Sequence, residues 1–212
     1  PPLSLPPAEI VFDAGIGDLF VIRVAGNVSD TDEIATIEYG AGHLHTPLIV
    51  VMGHAKCGAV TAVAQGGELH GNLALLLDNI KPAVAEVKKA DPNATGTALV
   101  AKAVNANVFQ SMADLLTHSD EVRALVKDKK AVLIGAVYDL HSGKVDFLGQ
   151  HPREAELLSA TPAAPAHEPA SDSHAASPAH EPADAHGTGH DAHTPAEDTH
   201  APAKHGTAAP AS

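Results

Sequence analysis

The chain is poor in the residues that make small folds rigid or anchor them elsewhere. It has no tryptophan and a single cysteine, and aromatic residues make up 3% of its 212 positions. One cysteine excludes an internal disulfide, which needs two, and leaves the redox compartment open. No run of 18 apolar residues exists, so the sequence contains no segment able to span a bilayer as a helix. Basic residues are scarce: 13 Lys and Arg stand against 26 Asp and Glu, a formal net charge of −13. That balance argues against nucleic acid and against anionic membrane surfaces as partners. There is no Met at position 1 and no signal-peptide pattern, and the chain opens on Pro1-Pro2. The natural beginning is therefore expected upstream.

The composition breaks near Leu158. Residues 159–212 contain no aromatic and no large aliphatic side chain, being Ala, Pro, His, Ser, Thr, Gly and acid. Such a segment has too little apolar surface to offset its chain entropy and reads as a disordered tail. About half of the net charge lies there, where seven acids face only Lys204. Eight histidines run through it, from His167 to His205. Imidazoles among carboxylates at this density have the chemistry to collect zinc, nickel or copper weakly, although a plain solvated extension has the same composition. Residues 1–158 are long enough for one domain with a hydrophobic core.

Within that domain the apolar pattern is α/β. Asp18–Val24 and Leu48–Met52 are apolar runs bounded by glycine turns and read as buried strands. Between them Ser29 or Asp30 caps a helix marked by Ile34, Ile37, Ala41 and Leu44. Strand, helix, strand in this order implies a right-handed crossover and a parallel sheet. A helical region is expected over 72–90, interrupted or kinked near Pro82, and another over 97–117. Ser119 then caps a short helix to about Asp128. The run 131–138 reads as a third buried strand, and His141–Lys144 turns it into an antiparallel edge strand, 145–148.

The stretch that carries chemistry is Gly53-His54-Ala55-Lys56-Cys57-Gly58-Ala59-Val60, directly after a buried strand. Ligands and reactive groups in open α/β sheets gather beyond the carboxyl ends of strands. Imidazole at His54 and thiolate at Cys57, three residues apart, are able to converge on one zinc ion. A lone pair of this kind is usually coincidence, and a free cysteine is most often a small buried apolar residue. Two ligands also do not complete a zinc site. Gly58 either lets the backbone approach the site closely or simply opens a helix. Asp13 and Asp18 are nearby carboxylates whose ordinary reading is turn or capping residues. His43, His45, His70, His118 and His141 match no motif.

Taken together, four blocks resemble the β-class carbonic anhydrases, in the same order: Glu9–Asn27, Ile37-Glu38-Tyr39, the Gly53–Val60 stretch, and Gly135–Leu140 with Gly143-Lys144-Val145. The resemblance implies a mostly parallel central sheet flanked by helices with an antiparallel edge strand. It implies Zn²⁺ as cofactor, with His54 and Cys57 as two of its ligands. It also implies carbon dioxide and bicarbonate as substrates, and a homodimer or higher oligomer. In the family, zinc lowers the pKa of its bound water and the resulting hydroxide attacks carbon dioxide.

The family's first motif, Cys-x-Asp-x-Arg, is missing. Its Arg falls at about Ser4 and its Asp at about Pro2, and the third ligand Cys would precede Pro1. The strand before that motif is central in the family sheet, so Asp18–Val24 and Leu48–Met52 are expected to lack the neighbour between them. A fragment or impaired copy of an enzyme is the leading expectation. The alternative is a non-catalytic metal-binding protein with a His-rich buffering tail.

Overall fold

In the computed structural model, two of the apolar runs become neighbouring strands of one small sheet. The model describes residues 5–67 and 70–160. The proposed tail, its histidines, and the positions at Pro2 and Ser4 lie outside them or at their margin. Strand β1 (Leu48–His54) pairs in parallel with β2 (Val132–Tyr138), from Leu48 opposite Val132 to His54 opposite Tyr138. Strand β3 (Val145–Gly149) returns antiparallel along β2, with a register irregularity at Gly135/Ala136. The sheet order is β1-β2-β3, which leaves β1 with one free edge.

Helices cover the sheet. Helix α1 (Ala8–Val11) is a single turn, and α2 (Thr31–Glu38) starts at a capping box in which Asp30 and Glu33 each satisfy the other's backbone N–H. A wider π-type turn, Tyr39–His43, carries the chain on towards β1. After β1 come α3 (Gly58–Gln65), α4 (Gly71–Asp78) and α5 (Lys81–Ala90). The proline expected to kink one helix instead opens a new one: Pro82 sits in the first turn of α5, where its missing N–H costs nothing. Helix α6 (Gly96–His118) is the spine, and Ser119 caps α7 (Asp120–Lys127) by accepting the Val122 N–H at 3.1 Å. Helix α8 (Glu154–Ser159) closes the described chain.

Because α6 buries residues at three- and four-residue spacing along its whole length, it serves two apolar clusters. Its first half packs Leu99, Val100 and Val104 with Val60, Leu77, Ile80 and Val84. Its second half packs Met112, Leu115 and Leu116 with Val51, Val122 and Leu133. Full burial of such side chains contributes roughly 1.5–3 kcal/mol each.

One expected strand does not form. Asp18 and Leu19 form a bend, Asp18–Val24 pairs with no other strand among the described residues, and Phe20 and Val21 are 43% and 40% exposed. A strand is held by the ladder of a neighbour, and this segment has none on either side. A cleft of 890 Å³ lies between it and the free edge of β1. The gap stays open, so the parallel crossover through α2 is not completed.

Candidate metal centre

The site forms where β1 ends. His54 is its last residue, and the next backbone N–H, that of Ala55, still donates to the Tyr138 carbonyl at 2.9 Å. The chain then reverses through Lys56, held at φ 56°, a left-handed conformation that a side chain disfavours. This turn brings Cys57 to the N-cap of α3. There the Cys57 carbonyl accepts both the Thr61 N–H (2.9 Å) and its hydroxyl (2.7 Å), which anchors the turn to the helix.

His54 and Cys57 therefore lie close enough for each to bias the other's protonation. The Cys57 thiol raises the His54 pKa above 6.5, against burial and the nearby Arg23 guanidinium. Burial pushes the Cys57 thiol up, but His54 and the α3 N–H groups of Val60 and Ala59 outweigh it, and the net shift is downward. A helix N-terminus beside an imidazole is a setting that favours thiolate. His54 Nδ1 lies 3.1 Å from the Ala55 carbonyl. A carbonyl only accepts, so Nδ1 carries the proton and Nε2 keeps the lone pair a metal takes.

Both side chains open on the cleft along β1, whose walls also include Arg23 and the turn Gly26–Val28. Gly58 is exposed at the start of α3, with open space where a Cβ would stand. A smaller cavity of 470 Å³ beside α3 and α6 is lined by Gln65, Lys88 and Thr95 and lies apart from this pair.

In donor chemistry the pair suits zinc; in number it falls short. Catalytic zinc takes three protein ligands and structural zinc four. Among the described residues no group of three or more His, Cys, Asp or Glu side chains is placed to hold a metal ion. Asp18 accepts the Gly15 N–H at 2.8 Å in its own turn, and Asp13 sits at φ 51° just after α1. His43 stacks on Tyr39 at 5.3 Å, and His118 bonds the Asp114 carbonyl. These two donors alone do not complete a catalytic zinc site.

The structure adds a support that the motif did not reveal. Asn107, wholly buried on α6, donates to the Gly26 carbonyl at 2.6 Å, and Ser111 donates to the Asn27 carbonyl at 2.7 Å. They hold the turn that walls the cleft, where Gly26 and Asn27 both have positive φ. Gly26 has no room for a side chain, since a Cβ there would stand 2.5 Å from Ile80 Cδ1. The available signal was polarity at core spacing: Asn107 and Ser111 fall three and seven residues after Val104, on its buried face.

Comparison with known proteins gives one consistent answer. The family model described as carbonic anhydrase matches residues 4–145. Carbonic anhydrase 2 of Mycobacterium tuberculosis is 33% identical over 141 residues, covering 65% of this chain and 66% of its own length. The chain thus spans just under two thirds of that relative. In structure, the β-carbonic anhydrase CafA of Aspergillus fumigatus aligns with a TM-score of 0.64 at 26% identity, over 72% of this chain and 73% of its own. The β-carbonic anhydrase CcaA aligns at 0.62 and 26%, over 74% and 79%. With a family model matched over well more than half its length and a fold to agree, this chain belongs to the β-class carbonic anhydrase family.

Proposed function

We propose that the chain serves reversible hydration of carbon dioxide to bicarbonate, with His54 and Cys57 as two of three zinc ligands. The observation that carries this is their convergence at the carboxyl end of β1, with the thiol pKa lowered and the His54 Nδ1 engaged by the Ala55 carbonyl. A third donor comes from outside the described residues, and activity depends on it. Gly58 opens the floor of the site to a small ligand. The exposed apolar patch of Phe20, Tyr39 and Leu44 is the contact through which the chain self-associates; sedimentation equilibrium of Phe20→Glu against the native chain checks it, and an unchanged mass would dispose of it.

The decisive experiment is zinc content per chain, with carbon dioxide hydration, for the full chain and its Cys57→Ala variant. About one tightly held zinc with measurable hydration, both lost in the variant, is the expected result. The shortage of a third donor among the described residues favours one rival, a non-catalytic metal-binding protein with a His-rich tail. Weak metal uptake that survives Cys57→Ala and disappears when the eight tail histidines are replaced would decide for that rival.

A further inference from the structure

His151 is the one histidine of the described chain with its ring packed inside the domain edge, 8% exposed. It stands just before α8. Its ring meets Phe109 of α6 edge to face, centroids 5.5 Å apart. Its Nδ1 accepts the Arg153 N–H at 3.0 Å, and its carbonyl accepts the Glu154 N–H at 2.9 Å. The donor at Nδ1 is a backbone amide, which cannot accept, so the docked ring is neutral with its proton on Nε2. Beyond this junction α8 packs on α6 and α7, laying Leu157 and Leu158 on the cluster of Leu115, Leu116 and Val122. The helix is short and its N-cap residue makes no side-chain cap bond; besides this ring and these two leucines, a Gln150–Glu154 hydrogen bond (3.0 Å) and an exposed Arg153–Glu156 ion pair (3.7 Å) meet its first turns.

We propose that His151 is an acid-released latch: neutral, it caps α8 and seats it on the domain, and protonated, it gives up the Arg153 amide and lets α8 detach. Protonation places a hydrogen on Nδ1, so the ring can no longer accept the Arg153 N–H and two donors face each other. The charged groups facing the ring are Arg153 and Glu156 of α8 and Glu86 of α5, while α6 presents uncharged Phe109. Burial of the ring, with Arg153 beside it, holds its pKa below 6.5, and the two glutamates offset part of this. The undocked ring keeps the ordinary value, so it takes up the proton first as pH falls. Docking is strongest above about pH 6.5 and weakens below it until the docked-state value is passed. Glu154 works in the opposite sense: burial raises its carboxyl pKa, so its protonation favours the docked helix. A helix that is released in acid therefore reports His151 and not that carboxylate.

The test uses the full chain. Amide hydrogen exchange, corrected for the intrinsic pH effect, is followed across residues 151–160 and across β1 from about pH 7.5 to about pH 5, alongside the NMR titration of the His151 ring. Protection over α8 is expected to fall severalfold while β1 stays protected, the fall beginning near pH 6.5 and levelling off once the docked ring has itself titrated. His151→Gln retains an acceptor that does not titrate, and its α8 protection is expected to stay flat over the same range. Unchanged protection in the native chain would overturn the latch, as would simultaneous loss over β1 or a fall that continues below the pH at which the docked ring has finished titrating. An equal fall in His151→Gln would overturn it as well.

Discussion

The two edges of β1 meet different fates. On one side seven residues pair with β2, and the strand's buried side chains pack on α6. On the other side the same strand faces an open cleft, across which a largely apolar segment, Asp18–Val24, stays outside the sheet and half exposed. The two flanking runs each hold three β-branched residues, so β-branching does not explain the difference, although Asp18 and Arg23 make the outer run more polar. What differs is the presence of a neighbour. A hydrophobic strand with an open edge is unusual in a folded domain, where edges are normally short, charged or covered. The lesson is that β structure is a property of pairs.

That contrast is open to measurement by urea unfolding. On the closed side Leu133→Ala removes a fully buried side chain beneath α6 and is expected to cost about 2–5 kcal/mol. A loss under about 1 kcal/mol there would mean that the closed half is loosely packed. Between the two sides, Asn107→Leu leaves the Gly26 carbonyl without its donor and should cost about 1–3 kcal/mol. Faster proteolysis within 18–28 should accompany it, because the tether of the cleft wall is gone. An unaltered cleavage rate would show that the wall is held by something else. On the open side Val21→Ala is expected to change stability by no more than about 0.5 kcal/mol. A large loss at Val21 would erase the contrast, since it would mean the segment is already packed.

Much of the architecture was legible because it depends on local pattern. The 3.6-residue spacing over 97–117 returns as α6 to within a residue or so at each end. Ser119 and Asp30 cap the helices they were expected to cap, since a side-chain oxygen at an N-terminus has a fixed nearby donor to satisfy. The turn at His141–Lys144 follows Asp139, which accepts from the N–H groups of His141 and Ser142 at 2.8 Å each. Pro82 was misjudged because the same residue breaks a helix from within and begins one at its first turn. Which role it takes depends on Asp78 to Ile80, where α4 ends.

The candidate site was legible only in part. The spacing of His54 and Cys57 showed two donors, and a strand end shows why they meet. Arg23 reached the site from an unpaired segment; it acts on His54 through its charge, and its guanidinium donates to the Leu5 and Pro6 carbonyls at 2.7 and 3.0 Å. His151 carried no signal, because a buried neutral imidazole is spelled like an exposed one.

By itself the sequence determined the extent of α6, the caps at Asp30 and Ser119, and which faces are apolar, and it pointed to His54 and Cys57 as a candidate nitrogen and sulfur pair. Those properties follow from residues a few positions apart. Tertiary structure alone decided that Asp18–Val24 stays outside the sheet, that Asn107 and Ser111 hold a turn about 80 residues away, and that His151 is enclosed. The reason is common to all three: pairing, burial and hydrogen-bond satisfaction are set by neighbours distant in the chain, and a local pattern carries no record of them.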